Sequence, residues 1–503
     1  MQKLLKFLGW IDNNIVKLLT VGFIFLIPLY PKFPLKFIDY TYIAIRVEDI
    51  YVALLAVVFF VQLLRQKVKL NKKFMWLILA FWAAVLASFL WGTFVQKTII
   101  YKHLGFLHSI RRIEYSLIFF IIVSTIRSRK DFLLYLHSSI ITLIIVSLYG
   151  AGQKFLGWPA VQTMNPEFAK GHILYLTPEA RISSTFGGHY DLAAYLVFLL
   201  PFTLGLFLYG KKIKYFISYF FSLLALTLTA SRSGLIAYPI AIVAFLAYVR
   251  KFKLMIVIVI ISLVLSLLSD NLSSRFAQTL RIKQIYVNEQ TGAVVIPQKI
   301  SVKELPAGTL FMELDKPVDQ TTRSAQTNKL LTDKIIADLQ DEARKSGKTL
   351  TDKQAADMAS TISAGLKPIN TVVSDISMAT RIQVEWPRAI NAFLSYPIFG
   401  KGPSTITEAT DNDYLRWLGE FGLVGTLIFL YILFSFSKFI FLNRKKYGKN
   451  EEYIFLGYLT GLFGLLIYAS YFDVFEASKV AYTFWSITAI IVGYLTLKPS
   501  RNA

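Results

Sequence analysis

Six arginines stand out in an otherwise apolar chain, and the chemistry their side chains offer is anion binding. They are Arg46 in "IRVEDIY", Arg111 and Arg112 in "SIRRIEYS", Arg181 ahead of "STFGGHYDLAAYL", Arg232 in "TASRSGLIA" and Arg381 in "ATRIQVEW". Each guanidinium presents a planar fork of donors suited to phosphate oxygens. Near a hydrocarbon edge such a charge costs several kcal/mol, about 3 or more, unless it is paired. Any one of these arginines can be paired structurally, with Glu48, Asp49 or Glu114 as neighbours. Six converging from different regions of the chain point instead to a polyanion site, and a membrane-anchored diphosphate fits it. Arg232 is the sharpest of them, because the flanking serines and glycine let a ligand or a neighbouring helix approach closely.

Two further clusters carry proton-transfer groups. In "RISSTFGGHYDLAAYL" a Gly-Gly turn leads into His189 and Asp191; His189 is either a hydrogen-bonded structural residue or a proton-transfer group beside the arginines. In "DNDYLRWLGEFGLVG", residues 411 to 425, Asp411, Asn412, Asp413, Arg416 and Glu420 alternate with Tyr414 and Trp417 immediately before an apolar run. Asp411 or His189 could take a proton from an attacking hydroxyl. Tyr414 and Trp417 offer flat faces to sugar rings, although interfacial aromatics also serve as plain membrane anchors. Upstream, "WPRAINAFLSYP" has the spacing of a short amphipathic helix at the outer surface, and "FGKGPST" is a glycine-rich turn without the strand and helix that a nucleotide loop requires.

The elements that must position these residues are membrane helices. The chain has 503 residues, is 55% hydrophobic and only 17% charged, and its mean hydropathy is positive. Soluble chains carry about 25% charged residues. Twelve apolar runs are expected to span a membrane, approximately 15–31, 49–65, 74–96, 113–127, 131–150, 190–209, 215–230, 233–249, 254–269, 421–442, 453–471 and 479–497. The first run lacks a small-residue cleavage site, so it is expected to be the first span rather than a removed leader. Alternate connections are short and basic: "RQKVKLNKK", "RSRK", "KKIK", "RKFK" and "NRKKYGK", with "KPSR" at the tail. Such loops belong on the cytoplasmic side, which puts both termini there and the large loop 270–420 outside.

Net charge is +23, yet residues 270–380 hold 14 Lys+Arg against 13 Asp+Glu, so the surplus lies in or beside the membrane region. Lipid head groups or a phosphorylated lipid are therefore the expected partners, and nucleic acid is not. The absence of cysteine removes disulfides, thiolate metal sites and a cysteine nucleophile. No Asp-x-Asp site falls on the cytoplasmic side to hold the metal of a nucleotide sugar, and neither metal nor cofactor is expected. The predicted fold is an all-α polytopic membrane protein. It comprises a membrane domain over residues 1–269, an extracytoplasmic loop over 270–420 and a second membrane domain over 421–503. Within the loop, 281–315 has Val- and Ile-rich runs that predict a small β-hairpin or sheet, and 325–366 predicts amphipathic helices broken at Ser346-Gly347. This insertion either shapes the site or binds an acceptor.

Taken with "TASRSGLIA", "RISSTFGGHYDLAAYL" and "P-IFGKGP", the stretch 411–425 resembles the O-antigen ligase and O-antigen polymerase superfamily of bacterial envelope glycosyltransferases. Asn412, Tyr414, Leu415, Glu420, Gly422 and Gly425 fit that family's pattern before a transmembrane helix. The resemblance implies transfer of a glycan from an undecaprenyl-diphosphate carrier on the outer face of the cytoplasmic membrane. The acceptor would be lipid A core, another glycan or a protein. It implies that Arg181, Arg232, Arg381 and Arg112 hold the diphosphate, and that Asn412, Tyr414, Trp417 and Glu420 face the acceptor or sugar. Family ligases have a catalytic histidine where this chain has Asp411. Either Asp411 becomes the general base, or the chain sides with the polymerases, some of which have Asp-Asn there. A flippase for the same lipid-linked glycans is the alternative; it would place charges near the bilayer midplane and show related halves, and no internal repeat is visible.

Overall fold

Long apolar runs in a hydrocarbon medium must close their own backbone hydrogen bonds, and helices do so within one segment. In the computed structural model a helix occupies each of the twelve expected stretches. Residues 2–38, 44–163, 170–177, 180–266, 281–288, 294–296, 311–313, 336, 340, 351–364, 366–373, 381–406, 410–448 and 450–497 are described. The chain divides into two compact units, Met1–Leu272 with Arg388–Ala503, and Ser273–Pro387.

The first unit begins with α1 (Gln2–Leu29), followed by β1 (Pro34–Phe37), which pairs antiparallel with β2 (Ala44–Arg46), and α2 (Val47–Leu64). Then come α3 (Met75–Leu90), continued by a π-helical turn at Trp91–Val95, α4 (Lys102–Thr125) and α5 (Arg129–Phe155). A second ribbon joins β3 (Pro159–Val161) to β4 (Ile173–Tyr175). After it run α6 (His189–Gly210), α7 (Ile213–Leu228), α8 (Arg232–Tyr248) and α9 (Phe252–Ser266). The second unit holds a four-stranded sheet of β5 (Arg281–Asn288), β6 (Val294–Ile296), β7 (Phe311–Glu313) and β8 (Leu366–Val373), in the order β7-β6-β5-β8, and the helix α10 (Asp352–Ala364). Strand β8 pairs with β5 along its whole length, a partner the sequence patterning did not suggest. Most of the helical stretch expected over 325–366, including the Ser346-Gly347 break, lies outside the described residues. The chain continues through a π-helical turn at Arg381–Glu385 and α11 (Trp386–Ser395). It ends in α12 (Asp413–Asn443), α13 (Glu452–Tyr468) and α14 (Ser478–Thr496).

Among the described residues six helices, α1, α2, α3 with its π turn, α5, α6 and α12, are long and apolar enough to cross a membrane. Four shorter apolar ones, α7, α8, α9 and α13, accompany them. Helix α6 is buried along most of its length and α13 packs on it through glycines. A Cβ at Gly457 would strike the Pro201 carbonyl, one at Gly461 the Phe198 carbonyl, and one at Gly464 the Val197 side chain at 3.1 Å as well as the Ala241 methyl of α8 at 3.0 Å. Small residues at this spacing let membrane helices approach to van der Waals contact. Gly234 does the same for α8, its position for a Cβ lying 3.3 Å from the Ala193 methyl of α6.

Helix α12 is interrupted near its N-terminal end. Gly422 takes φ 60° and ψ −161°, which only glycine adopts freely. The break exposes carbonyls and amides that the loop before α12 takes up: Lys401 N–H bonds Gly419 O at 2.8 Å, and Gly402 N–H bonds Glu420 O at 3.1 Å. On the other side, Leu423 N–H reaches Pro397 O at 2.8 Å. Gly400, at φ +72°, lies so close that a Cβ there would meet the Glu420 carbonyl carbon. "FGKGP" and "GEFG" are thus two halves of one backbone crossing, and the glycine-rich turn serves packing.

Candidate functional site

Two turns at the ends of α12 and α13 interlock through carboxylates. Asp473, in the turn after α13, accepts N–H bonds from Thr410 (2.8 Å) and Asp411 (3.2 Å) on Oδ2 and from Asn412 (3.1 Å) on Oδ1. It also takes the Arg416 guanidinium at 2.8 Å. In return Asp413, the first residue of α12, accepts the N–H groups of Val474 (2.8 Å) and Phe475 (3.3 Å). Asn412 caps α12, accepting Leu415 N–H at 3.0 Å and donating to Ser470 O at 3.0 Å. The clasp fixes Asp411 at φ +50°, a left-handed conformation that aspartate and asparagine tolerate better than most residues.

Below the clasp lies a buried ion network. Arg112 of α4 reaches Glu420 at 2.7 Å and Glu476 at 2.6 Å, and its guanidinium lies 4.5 Å from the Phe421 ring centroid. Arg416 approaches Glu420 at 3.6 Å. Arg112 and Glu420, expected at the diphosphate and the acceptor, are thus placed in contact with each other. Trp417 is buried, packing on Phe429 and Phe475 with centroids 4.3 and 5.3 Å away. Tyr414 donates to Leu466 O at 2.8 Å.

A cationic corner comes from the N-terminal helices. Lys32, in the loop after α1, donates to Ser478 at 2.6 Å and lies 3.9 Å from Glu48. Arg46 ends β2, and its backbone N–H bonds Asp49 at 2.8 Å, while the other Asp49 oxygen pairs with Arg111 at 3.3 Å. Burial pushes the Lys32 ammonium below the ordinary lysine range, against the opposing pull of Glu48, and burial likewise lowers Arg46.

The third wall is the start of α6. Arg181 bonds the His189 imidazole and lies 5.8 Å from the Tyr190 ring centroid. Tyr468 of α13 donates to Tyr190 O at 3.1 Å and shares a hydrogen bond of 3.1 Å with Ser231, the N-cap of α8. Arg232, the first residue of α8, is therefore one residue from a hydroxyl chain that ends on this wall.

These walls enclose a cavity of about 300 Å³, lined by Lys32, Arg46 and Arg111, by Tyr190 and Asp191, and by Asp411, Arg416, Asp473 and Glu476, among others. Of the residues expected at a site, Asp411 lines it; His189 lies between the lining residues Gly188 and Tyr190, and Arg181 stacks on Tyr190. Arg381 sits in the π-helical turn of the other unit, where it is buried. Lys32, Asp473 and Glu476 were missed from sequence. For the two acids, the available signal was their pairing in "YFDVFEASK", on the seven-residue connection 472–478 expected to face outward.

The arrangement can hold an oxyanion against guanidinium and ammonium groups while presenting a carboxylate, Asp411, to a neighbouring hydroxyl. No curated protein matches the chain. Residues 217–430, from within α7 into α12, match the family model described as O-antigen ligase, which supports a place in the O-antigen ligase and polymerase superfamily.

Proposed function

We propose that this multi-pass membrane protein is a glycosyltransferase, an O-antigen ligase-like or polymerase-like enzyme, working on the outer face of the cytoplasmic membrane with both termini inside. Its donor is a glycan on a polyprenyl diphosphate, and its acceptor is a hydroxyl of a second glycan, a lipid or a protein. The observation that carries this reading is the cavity itself, which sets Asp411 opposite cationic side chains from three other helices or their flanks.

The chemistry follows from that juxtaposition. The acceptor oxygen attacks the anomeric carbon as the bond from that carbon to the phosphate oxygen breaks. Asp411 takes the acceptor proton, and the lipid diphosphate departs with the bonding electrons. Guanidinium groups lining the cavity stabilise the charge growing on the departing phosphate. A diphosphate is already a good leaving group, so the reaction is proposed to need no metal. In this reading Arg181, ahead of α6, and Arg232, at the start of α8, add to the diphosphate contacts, His189 is the other candidate base, and Asn412 and Tyr414 serve the acceptor side.

The test is glycan analysis of a strain lacking the gene, complemented with Arg232→Ala or Asp411→Ala. Both variants should fail to restore transfer while reaching the membrane at normal levels. Single repeats on acceptor would identify a polymerase, and long chains left on carrier lipid a ligase. Full complementation by both variants would overturn the site.

A further inference from the structure

One acidic side chain of the cavity is engaged by nothing in the fold. Asp191, in the first turn of α6, lines the cavity and is half-buried. Among the described residues no hydrogen-bond donor or cation lies within bonding distance of its carboxylate. Asp49, Asp413, Asp473 and Glu420 differ in this, since each holds a guanidinium or backbone amides. An acid in the first turn suits the helix dipole, but that interaction needs no open space beside the carboxylate. Here the space is kept. Gly187 does not have a left-handed backbone, yet a Cβ there would crowd the Thr163 hydroxyl and lie 3.2 Å from Asp191 Oδ2. A carboxylate drawn partly out of water without donors is costly, and a ligand that brings hydroxyls removes the cost.

The same wall offers flat apolar surface. Tyr190 and Phe472 both line the cavity, half-buried, with ring centroids 5.5 Å apart and planes inclined by 33°. Both are held in place. Tyr468 donates to Tyr190 O at 3.1 Å, its ring meets Phe472 at 6.0 Å, and Phe472 adjoins Asp473 of the carboxylate clasp. At about 300 Å³ the cavity is at the small end of ligand sites, roughly 300–1,000 Å³, the scale of a ring rather than of a long glycan.

We propose that Asp191, Tyr190 and Phe472 form a sugar subsite, in which the carboxylate accepts neighbouring hydroxyls of a pyranose whose C–H face rests against the rings. The proposal rests on the glycan-transfer reading and names the wall that takes the sugar. It replaces Trp417, which is packed away between Phe429 and Phe475, as the aromatic surface for that sugar. The ring belongs either to the donor, next to its diphosphate, or to the acceptor.

The experiment is a ligand-observed NMR titration of the full chain in lipid nanodiscs, prepared without glycoside detergents. The probes are the methyl glycosides of glucose, galactose, mannose and N-acetylglucosamine, with sorbitol as a polyol that has hydroxyls but no ring face. At least one glycoside should bind saturably where sorbitol does not. Asp191→Ala should weaken it about tenfold or more, the scale of lost hydrogen bonds to a charged group, and Phe472→Leu several-fold. Arg65→Gln, in the exposed pair with Asp12, should leave it unchanged. Deoxy analogues separate contact from mere support of the fold. One that lacks a bonded hydroxyl should bind about tenfold more weakly to the unsubstituted protein, and should lose that handicap in Asp191→Ala. If Asp191→Ala gives no folded protein, Asp191→Asn takes its place, with the handicap reduced rather than lost. Tighter binding of the 1-phosphate of the preferred sugar assigns the ring to the donor, and no gain assigns it to the acceptor. No saturable glycoside binding, or a deoxy handicap that survives in the Asp191 variants, overturns the subsite. Binding needs neither carrier lipid nor turnover. Sugar binding in a protein that transfers no glycan therefore removes the enzyme reading alone, and transfer without Asp191-dependent binding removes the subsite alone.

Discussion

Asp413 and Asp473 each fasten the other's turn: Asp473 accepts the N–H groups of Thr410, Asp411 and Asn412, while Asp413 accepts those of Val474 and Phe475. The exchange joins the ends of α12 and α13 by carboxylate-to-amide bonds that need no side-chain partner. Asp473→Ala should therefore cost about 3–5 kcal/mol, because it removes the nearest carboxylate of the buried Arg416 and leaves three amides without their acceptor. Thermal denaturation in detergent measures this. Asp473→Asn, which keeps one acceptor oxygen, should lose less, and equal loss in the two variants would contradict the account.

Asp411 has a conformation that asparagine shares at little cost, so Asp411→Asn separates chemistry from folding. It should keep the melting temperature and lower transfer by about 10²–10⁴-fold, the usual contribution of a general base. Unchanged transfer would move the base role to His189 or elsewhere.

Glu420 and Trp417 give a contrasting case. Glu420→Gln should destabilise the protein by about 1–3 kcal/mol, because it weakens the contact with Arg112 and Arg416 while Glu476 and Asp473 keep each of them paired. Trp417→Ala should cost about 3–5 kcal/mol through the cavity it leaves between Phe429 and Phe475. Any residual folded fraction of Trp417→Ala should transfer glycan with an unaltered KM for acceptor. A raised KM at full stability would restore the sugar-stacking role.

Gly422→Ala combines a left-handed backbone with a Cβ that meets the Ile398 carbonyl. The conformational term alone is worth about 1–3 kcal/mol, and the steric one adds to it, so membrane levels of the variant should fall sharply. Gly9→Ala, at a helical site with open space around it, should be neutral or stabilising by up to about 1 kcal/mol.

Lys32 sets a pH dependence. Burial lowers its pKa in the folded chain, so it loses its proton earlier than a free lysine as pH rises. Anion binding should weaken on that alkaline limb, and Lys32→Met should flatten the limb while lowering affinity at neutral pH. The stability contribution has the opposite sense. The unfolded state binds the proton more tightly, so between the folded and unfolded values raising the pH favours folding. Calorimetric titrations with pyrophosphate from neutral to alkaline pH check the first effect.

The helical stretches were legible because apolar length is a local property, read directly from runs such as "LAAYLVFLLPF". The faces of those helices were not. Trp417 and Glu420 lie three apart on α12, and nothing local distinguishes a turn facing a cavity from one facing Phe475 or Arg112. Arg112 was likewise grouped with Arg111, its neighbour in sequence, although a helix turns adjacent residues about 100° apart and their partners differ accordingly. Asp411 was recognisable because a motif surrounds it. Asp473 was not, since its role depends on a contact between positions about 60 residues apart.

The break at Gly422 also divides α12 in kinetic terms. Residues ahead of it answer to the carboxylate clasp and those behind it to the helices of the bundle, while the loop at 397–402 bonds the backbone on both sides of the break. Amide exchange should accordingly report two segments with different protection, one ahead of Gly422 and one behind it. The short N-terminal piece then belongs to the cavity wall, and the long C-terminal piece is its mooring.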